Sequence, residues 1–351
     1  MTFMFKRLRN MLVSEGIGID LGTRNTVVYA PGTGIVLSEP SMVAIDKDTG
    51  SVMATGYEAY NMVGRTPGNI IAVRPMKDGV IADFSITEKM VDAFVNKVNV
   101  KPFFKRPRIL IGIPWGITNV EKRAVADAAL KAGAGESLLI EEPMAAAIGS
   151  GIDVRLPQGK LIVDIGGGTT EVAVISLAGI VVCKSIRVAG DEFDDAIIQH
   201  CRQHYNLLIG DRMAERIKIE IGSAFPFEEE KNMVVKGRDL VSGLPKTFTI
   251  SSYEIRDALS EPIASIVTTI RSTLEETPPE LSGDIMSEGI LMTGGGSLLY
   301  GICQCIENET KIRVNRAEDP LTCVADGTGK VLEDQDLMTQ ISSTISHIHS
   351  F

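Results

Sequence analysis

The sequence predicts an α/β protein assembled from two related halves, and three observations carry that reading. Short apolar strands alternate with amphipathic helices along most of the chain, which is the pattern of an α/β architecture. The segment Leu161–Glu171 reads as a buried strand ending in an acid, Asp164, followed by three glycines and two threonines. A second version, Ile17–Thr26, sets Asp20, Gly22 and Thr23 in the same order near the N-terminus. Two matched copies far apart predict an internal duplication with insertions, not a solenoid of short repeats.

Composition narrows the class. A chain of 351 residues spans two to three domains at roughly 150 residues each. The net charge of −10 argues against a general nucleic-acid binder, which needs a basic footprint. The five cysteines include no C-x-x-C pair, so they read as reduced thiols of a cytosolic protein. His200, Cys201 and His204 set two imidazoles on one helical face. No further ligands accompany them, so an exposed helix face is the favoured reading over a metal site. No run approaches the roughly 18 apolar residues of a membrane span. The basic N-terminus lacks the uninterrupted apolar core of a secretory signal. A cytoplasmic location is therefore expected.

The elements follow in order. On a helix, Met4, Phe5, Leu8, Met11 and Leu12 fall on one face of residues 1–15, with Lys6, Arg7, Arg9 and Asn10 opposite. Such a basic amphipathic segment reads as an interfacial membrane anchor, each cation contributing about 1 kcal/mol near an anionic leaflet. A frayed terminus, or a helix docked on its own domain, is the other reading. Gly16–Asp20, Thr26–Tyr29 and Ile35–Leu37 are short strands, and Ser41–Ile45 with Ser51–Thr55 reads as a hairpin across Asp48-Thr49-Gly50. Arg108–Ile113 is a buried strand, Asn119–Gly133 a helix ending on its glycine, Leu138–Ile140 a strand, and Pro143–Ile148 a small-residue helix.

The second half repeats the logic. Leu161–Ile165, Glu171–Ser176 and Ile180–Val188 are consecutive strands, then Phe193–Tyr205 and Asp211–Gly222 are helices. Val234–Lys236 and Phe248–Ile250 read as strands of an insertion. Ser252–Glu275 reads as one long helical stretch broken or kinked near Pro262, closed by Thr277-Pro278-Pro279. Gly289–Met292 is a strand running into Gly294-Gly295-Gly296.

Chemistry concentrates at the turns. Gly166, Gly167 and Gly168 let backbone N–H groups approach an anion without Cβ clashes, and Thr169 and Thr170 add hydroxyls. Gly22 and Thr23 repeat the arrangement. Neither segment is a P-loop, and neither opens a helix as a dinucleotide fingerprint must, so both are hairpin turns. A single glycine turn is more often a plain β-turn; two copies, each behind an acid, point to one phosphate chain gripped from two sides, in a cleft between the halves. Asp20 and Asp164 would repel phosphates unless Mg²⁺ intervened, commonly held through waters. Each could instead cap its own turn. Glu141 and Glu142 precede a helix, where they complement its dipole or where one orients a water for attack on a γ-phosphate. Met292–Leu298 lacks an acid and suits a neutral nucleoside contact. The helix around Glu215, Arg216 and Lys218 offers Glu215 to ribose hydroxyls and Lys218 for stacking or charge, although periodicity alone makes it a surface helix. Phe103-Phe104, flanked by Lys101, Lys105, Arg106 and Arg108, reads equally as core or as a loop inserted at a membrane surface.

Together these segments resemble the actin-like ATPase superfamily. Ile19–Thr23, Arg74–Asp83, Glu141–Gly149, Asp164–Ser176 and Met292–Leu299 narrow the resemblance to the MreB family of bacterial actin homologues, over about Gly16 to Leu332. The resemblance implies an actin-like fold: two domains with duplicated RNase H-like cores around a nucleotide cleft. It implies residues 16–43, 77–156 and 326–351 as subdomain IA, 44–76 as IB, 157–192 and 257–325 as IIA, and 193–256 as IIB. It implies ATP and Mg²⁺ as cofactors, with Asp20 and Asp164 as metal and phosphate acids. Thr23 and Asn25 match the first phosphate loop, with Arg24 between them in the same loop, Gly166 to Thr170 match the second, and Glu142 the water-activating position; Thr169 joins the catalytic group. Glu215, Arg216, Lys218 and Gly294, Gly295, Gly296, Ser297 and Leu298 match nucleoside contacts, and Phe103 and Phe104 a membrane-insertion loop. The first loop departs from the family at Arg24, where a small residue is usual; the arginine either adds a charge contact or points away. The implied function is a filament, bound to the inner face of the cytoplasmic membrane, that organises cell-wall synthesis with membrane partners, its turnover timed by ATP hydrolysis. A membrane-tethered division protein or a small-molecule kinase of the same superfamily is the alternative.

Overall fold

The computed structural model describes residues 16–98 and 107–348. They divide into two compact units. The described residues of Met1–Pro157, Ser176–Ile180 and Thr322–Phe351 form the first, and those of Gln158–Ile175 and Val181–Leu321 the second.

In the first unit a six-stranded sheet runs in the order Ile345–Ile348, Glu136–Glu141, Arg108–Ile113, Gly16–Leu21, Asn25–Ala30, Gly34–Pro40. The three middle strands, Glu136–Glu141, Arg108–Ile113 and Gly16–Leu21, are mutually parallel, and the remaining pairings are antiparallel. Parallel central strands are covered on both faces, which explains their near-continuous burial: Ile17, Ile109, Leu110, Leu138, Leu139 and Ile140 are inaccessible. Phe94 from helix Phe84–Val98 and Val125, Ala126 and Ala129 from helix Asn119–Lys131 cover one face. The latter helix starts on a Thr118–Glu121 capping box and is followed by Gly133 at φ +101°, the expected glycine stop.

Helices Glu142–Gly149 and Cys323–Glu333 meet almost backbone to backbone. A Cβ on Gly149 would lie 1.8 Å from the Cys323 carbonyl oxygen, one on Gly327 1.8 Å from that of Ala145, and one on Gly18 2.1 Å from Thr328 Oγ1. Lys330 Nζ donates to the Gly149 carbonyl at 2.6 Å, so a cation closes the C-terminal end of the short helix. The unit also carries a three-stranded sheet, Val52–Thr55, Val43–Asp46, Ile70–Val73, and a small hairpin, Met76–Lys77 with Val80–Ile81. Asp78 and Gly79 turn that hairpin with φ of 51° and 75°, as a tight primed turn requires.

The second unit is built on the order Gly179–Ile186, Thr170–Ser176, Lys160–Ile165, Ile290–Thr293, Val314–Arg316, with a three-stranded sheet Leu207–Leu208, Asn232–Asp239, Pro245–Ser251. Its core packs Val163 and Ile165 against Phe193 and Ile197 of helix Gly190–Tyr205, Ile217 of helix Asp211–Ile221 and Ile266 of helix Ser260–Glu276.

Several elements differ from the sequence expectation. The long stretch from Ser252 is two helices, Ser252–Ala258 and Ser260–Glu276. The break expected near Pro262 falls at Leu259, just before that proline, which occupies the first turn of the second helix, where a missing N–H costs nothing. Pro279 opens a further helix, Pro279–Glu288, as proline at a first helical position does. Beyond Leu332, where the sequence reading assigns no element, the described residues form helix Gln335–Gln340 and the edge strand Ile345–Ile348. His200 is 9% exposed, so this helix face is not open there; its ring stacks on His204 at 4.2 Å. Among the described residues no group of three or more His, Cys, Asp or Glu is placed to hold a metal, and no helix is long and apolar enough to cross a membrane. The segment carrying Met4, Phe5, Leu8, Met11 and Leu12 and the Phe103-Phe104 pair lie outside the described residues.

Candidate functional site

Each unit presents its own glycine turn, and each turn is tied down from behind. In the first unit Asp20 is the last residue but one of strand Gly16–Leu21 and pairs in register with Val27 across the hairpin. Ser41, 1% exposed, organises the turn. Its hydroxyl donates to the Gly22 carbonyl at 2.6 Å and shares a 2.9 Å hydrogen bond with Thr26 Oγ1. Its N–H donates to the Arg24 carbonyl at 2.9 Å. In a trans peptide C=O and N–H point in opposite directions. Fixing the carbonyls of Gly22 and Arg24 on Ser41 therefore turns the N–H groups of Thr23 and Asn25 away from it. The Thr23 hydroxyl accepts from Gly79 N–H at 3.0 Å, so the Asp78-Gly79 hairpin props the turn from its flank. Arg24 is half-buried and Asn25 exposed.

From the sequence alone Ser41 is only the first residue of a strand. No local pattern reveals its role, because the hydroxyl acts on a carbonyl 19 residues earlier. Ser41→Ala strands that carbonyl and the Thr26 hydroxyl, and is expected to cost about 2 kcal/mol. Urea unfolding checks this, and a loss under ~0.5 kcal/mol would show that the hydroxyl is dispensable.

Glu142 belongs to the same sheet end as Asp20. Asp20, Gly112 and Ile140 occupy one row across the three parallel strands, and Glu142 opens the helix that follows. A Cβ on Gly112 would meet Glu142 Cγ at 3.3 Å and Val324 Cγ1 at 2.7 Å. Gly112 thus leaves the room in which the Glu142 side chain lies over the neighbouring strand. Glu141 differs: Lys122 Nζ stands 3.8 Å from its carboxylate, while burial, the larger effect, raises its pKa.

In the second unit strands Lys160–Ile165 and Thr170–Ser176 form the hairpin, with Asp164 opposite Glu171. Asp164 is 6% exposed. Burial pushes its carboxyl up to about 6, with the Thr293 hydroxyl opposing by a smaller amount. Gly166 N–H donates to the Thr169 carbonyl at 2.9 Å, closing the turn. The carbonyls of Gly166 and Gly167 then accept from Gly190 and Asp191 N–H at 3.2 and 2.7 Å. Two N–H donors at the start of helix Gly190–Tyr205 thus hold the turn, and by the same peptide geometry the N–H groups of Gly167 and Gly168 face away from that helix. Thr170 Oγ1 donates to the Val188 carbonyl at 2.6 Å, and Thr169 is buried.

The third glycine segment packs directly on this hairpin. Strand Ile290–Thr293 pairs in parallel with Lys160–Ile165, and Thr293 is in register with Asp164. Gly294 follows at φ +76°, where a Cβ would fall 2.2 Å from Asp164 Oδ1. Gly295–Leu298 is a 3₁₀ turn, not an open loop; Ser297 Oγ donates to the Gly294 carbonyl at 2.7 Å, and Leu298 is 46% exposed. On helix Asp211–Ile221, Glu215 is half-buried and Arg216 is exposed and paired with Glu220 at 2.6 Å. Lys218 reaches inward to Asp194 and to the Gly190 carbonyl, both at 2.9 Å. The structure thus gathers Asp164, Gly166–Thr170, Gly190, Lys218 and Gly294 in one unit, and Asp20, Gly22–Asn25 and Glu142 in the other.

Mixed sheets flanked by helices, each with an acid and a glycine hairpin at a strand end, define an actin-like α/β protein. Solved structures agree. MreB5 of Spiroplasma citri bound to AMPPNP superposes with TM-score 0.86 at 40% identity, over 94% of this chain and 98% of that one. MreB5 bound to ADP gives 0.88 at 42% identity, over 93% and 98%. The MamK double helical filament gives 0.77 at 20% identity, over 91% and 98%, a likeness of fold. Among curated relatives, the cell shape-determining protein Mbl of Bacillus subtilis (strain 168) is 51% identical over 93% of this chain and 98% of its own. The cell shape-determining protein MreB of Escherichia coli (strain K12) is 53% identical over 95% and 97%. The family described as MreB/Mbl protein matches residues 14–340. The chain belongs to the MreB/Mbl family, the cell shape-determining actin homologues.

Proposed function

We propose that this chain binds ATP with Mg²⁺, assembles into filaments on the inner face of the cytoplasmic membrane, and hydrolyses ATP to time filament turnover while organising cell-wall synthesis. The observation that carries the nucleotide reading is the pair of turns whose carbonyls are tied behind, by Ser41 in one unit and by Gly190 and Asp191 in the other. Such turns present N–H groups forward, as an anion nest needs. The MreB5 relative, 40% identical, was solved with AMPPNP, which supports the same ligand class here.

In this reading Thr23, Arg24, Asn25 and Gly166 to Thr170 contact phosphates. Glu215, Arg216, Lys218 and Gly294 to Leu298 serve the nucleoside. Asp20 and Asp164 hold Mg²⁺, in part through waters. The fit is chemical: a buried carboxyl with a raised pKa gains by meeting a cation. Bound Mg²⁺ neutralises phosphate charge. Glu142 orients and deprotonates the attacking water. The Met4-to-Leu12 face and Phe103-Phe104 supply the membrane contact, and the four-subdomain division set out above belongs to the same proposal.

Co-sedimentation with ATP, Mg²⁺ and anionic liposomes tests it. Pelleting with lipid is expected, and filaments under no nucleotide condition would reject the polymer. Deleting residues 2–12 is expected to cut liposome binding; unchanged binding would move the attachment to Phe103-Phe104 or to a partner.

A further inference from the structure

Lys218 does more in this unit than a nucleoside contact requires. Ala214, Ile217 and Ile221 bury one side of helix Asp211–Ile221. Glu215 and Lys218, three residues apart, share one edge of that helix. From that edge the Lys218 ammonium reaches Asp194, whose side chain is only 3% exposed, and the carbonyl of Gly190. Gly190 is the first residue of the helix whose N–H groups hold the Gly166 and Gly167 carbonyls. Gly190 must also be close: a Cβ there would stand 3.2 Å from the Gly166 oxygen. An unbroken series of contacts therefore runs from the Glu215–Lys218 edge, through Gly190, to the Gly166–Gly167 turn.

Burying a charge pair costs desolvation that an apolar pair would avoid, so its retention calls for something beyond stability. We propose that the Asp194–Lys218 pair is a positioning device that couples the nucleoside-side helix to the Gly166–Thr169 turn, so that recognition of the nucleoside holds the turn in register for the phosphates. The inference rests on the ATP reading above. It makes Asp194 a positioning residue, since its carboxylate acts through Lys218 and Gly190.

The test is a binding series with ATP, ADP, AMP and adenosine, on the full chain with Mg²⁺, for wild type, Asp194→Asn, Lys218→Arg and the double variant Asp194→Asn/Lys218→Gln. The double variant removes both charges and leaves none buried alone, which keeps the test open if a single variant fails to fold. Asp194→Asn is expected to weaken ATP and ADP by about tenfold or more, the scale of one lost charged hydrogen bond, and adenosine by less than about twofold; the double variant also loses the Lys218 contact to the nucleoside, so it is expected to weaken all four ligands, but ATP and ADP by about tenfold more than adenosine. Lys218→Arg, which keeps the charge, is expected to recover most of the ATP affinity. Equal weakening across all four ligands, or no weakening, overturns the coupling while leaving ATP binding intact. A wild type that binds none of them rejects the ATP reading itself.

Discussion

Asp164→Asn is expected to stabilise the nucleotide-free protein at pH 7.5 and to abolish Mg²⁺-dependent ATP binding. The carboxyl stands at about 6 in the folded chain against an ordinary 3.8, because burial disfavours its ionised form. The fold therefore favours the protonated acid. That contribution is fully present below about pH 3.8 and is lost as pH rises through about 6. Above that window the ionised group destabilises the fold by up to about 3 kcal/mol. Asparagine has the shape of the neutral acid and avoids the loss. Urea titrations in chelator should show the variant more stable at pH 7.5 and equal to wild type near pH 4. A variant less stable at pH 7.5 would mean that the carboxylate has a compensating partner in the fold. Retained Mg²⁺-ATP affinity would remove Asp164 from the metal site.

Glu142→Ala is expected to slow phosphate release by about 10²-fold or more, the contribution of a positioned general base, with nucleotide binding and assembly retained. The side chain begins a helix at the same sheet end as Asp20, in space left by Gly112. Glu141→Gln is the control. Its carboxylate faces Lys122, so its loss should touch stability before turnover. Single-turnover phosphate release separates the two, and undiminished release by Glu142→Ala would reject it as the water-activating group.

Much of this was readable in the chain because local pattern and tertiary structure agree there. Arg108–Ile113 carries a buried run from Ile109 to Ile113, and its sequence limits match its sheet limits. The hairpins after Asp20 and Asp164 follow from glycines directly behind a strand. What escaped depends on partners distant in sequence. Strand Ile345–Ile348 is four residues long and finds its neighbour, Glu136–Glu141, some two hundred positions earlier. Helix Cys323–Glu333 contains Gly327 and Gly329, which propensity counts against a helix. They are there because a side chain at either would strike Ala145 or the Tyr29 ring. Lys218 looked like part of a solvent face until Asp194 and Gly190 came beneath it.

The glycine-lined meeting of helices Glu142–Gly149 and Cys323–Glu333 also bears on synthesis. The first unit is discontinuous in the chain: the helix that covers Gly18 and clasps Ala145 comes after the entire second unit. A ribosome delivers residues in order, and domains fold as their parts emerge. The second unit therefore has all of its strands available while the opening strand Gly16–Leu21 still lacks its cover. The unit that carries Asp20 and Glu142 completes only when the last helices leave the ribosome, so a nascent chain matures its Asp164 turn first.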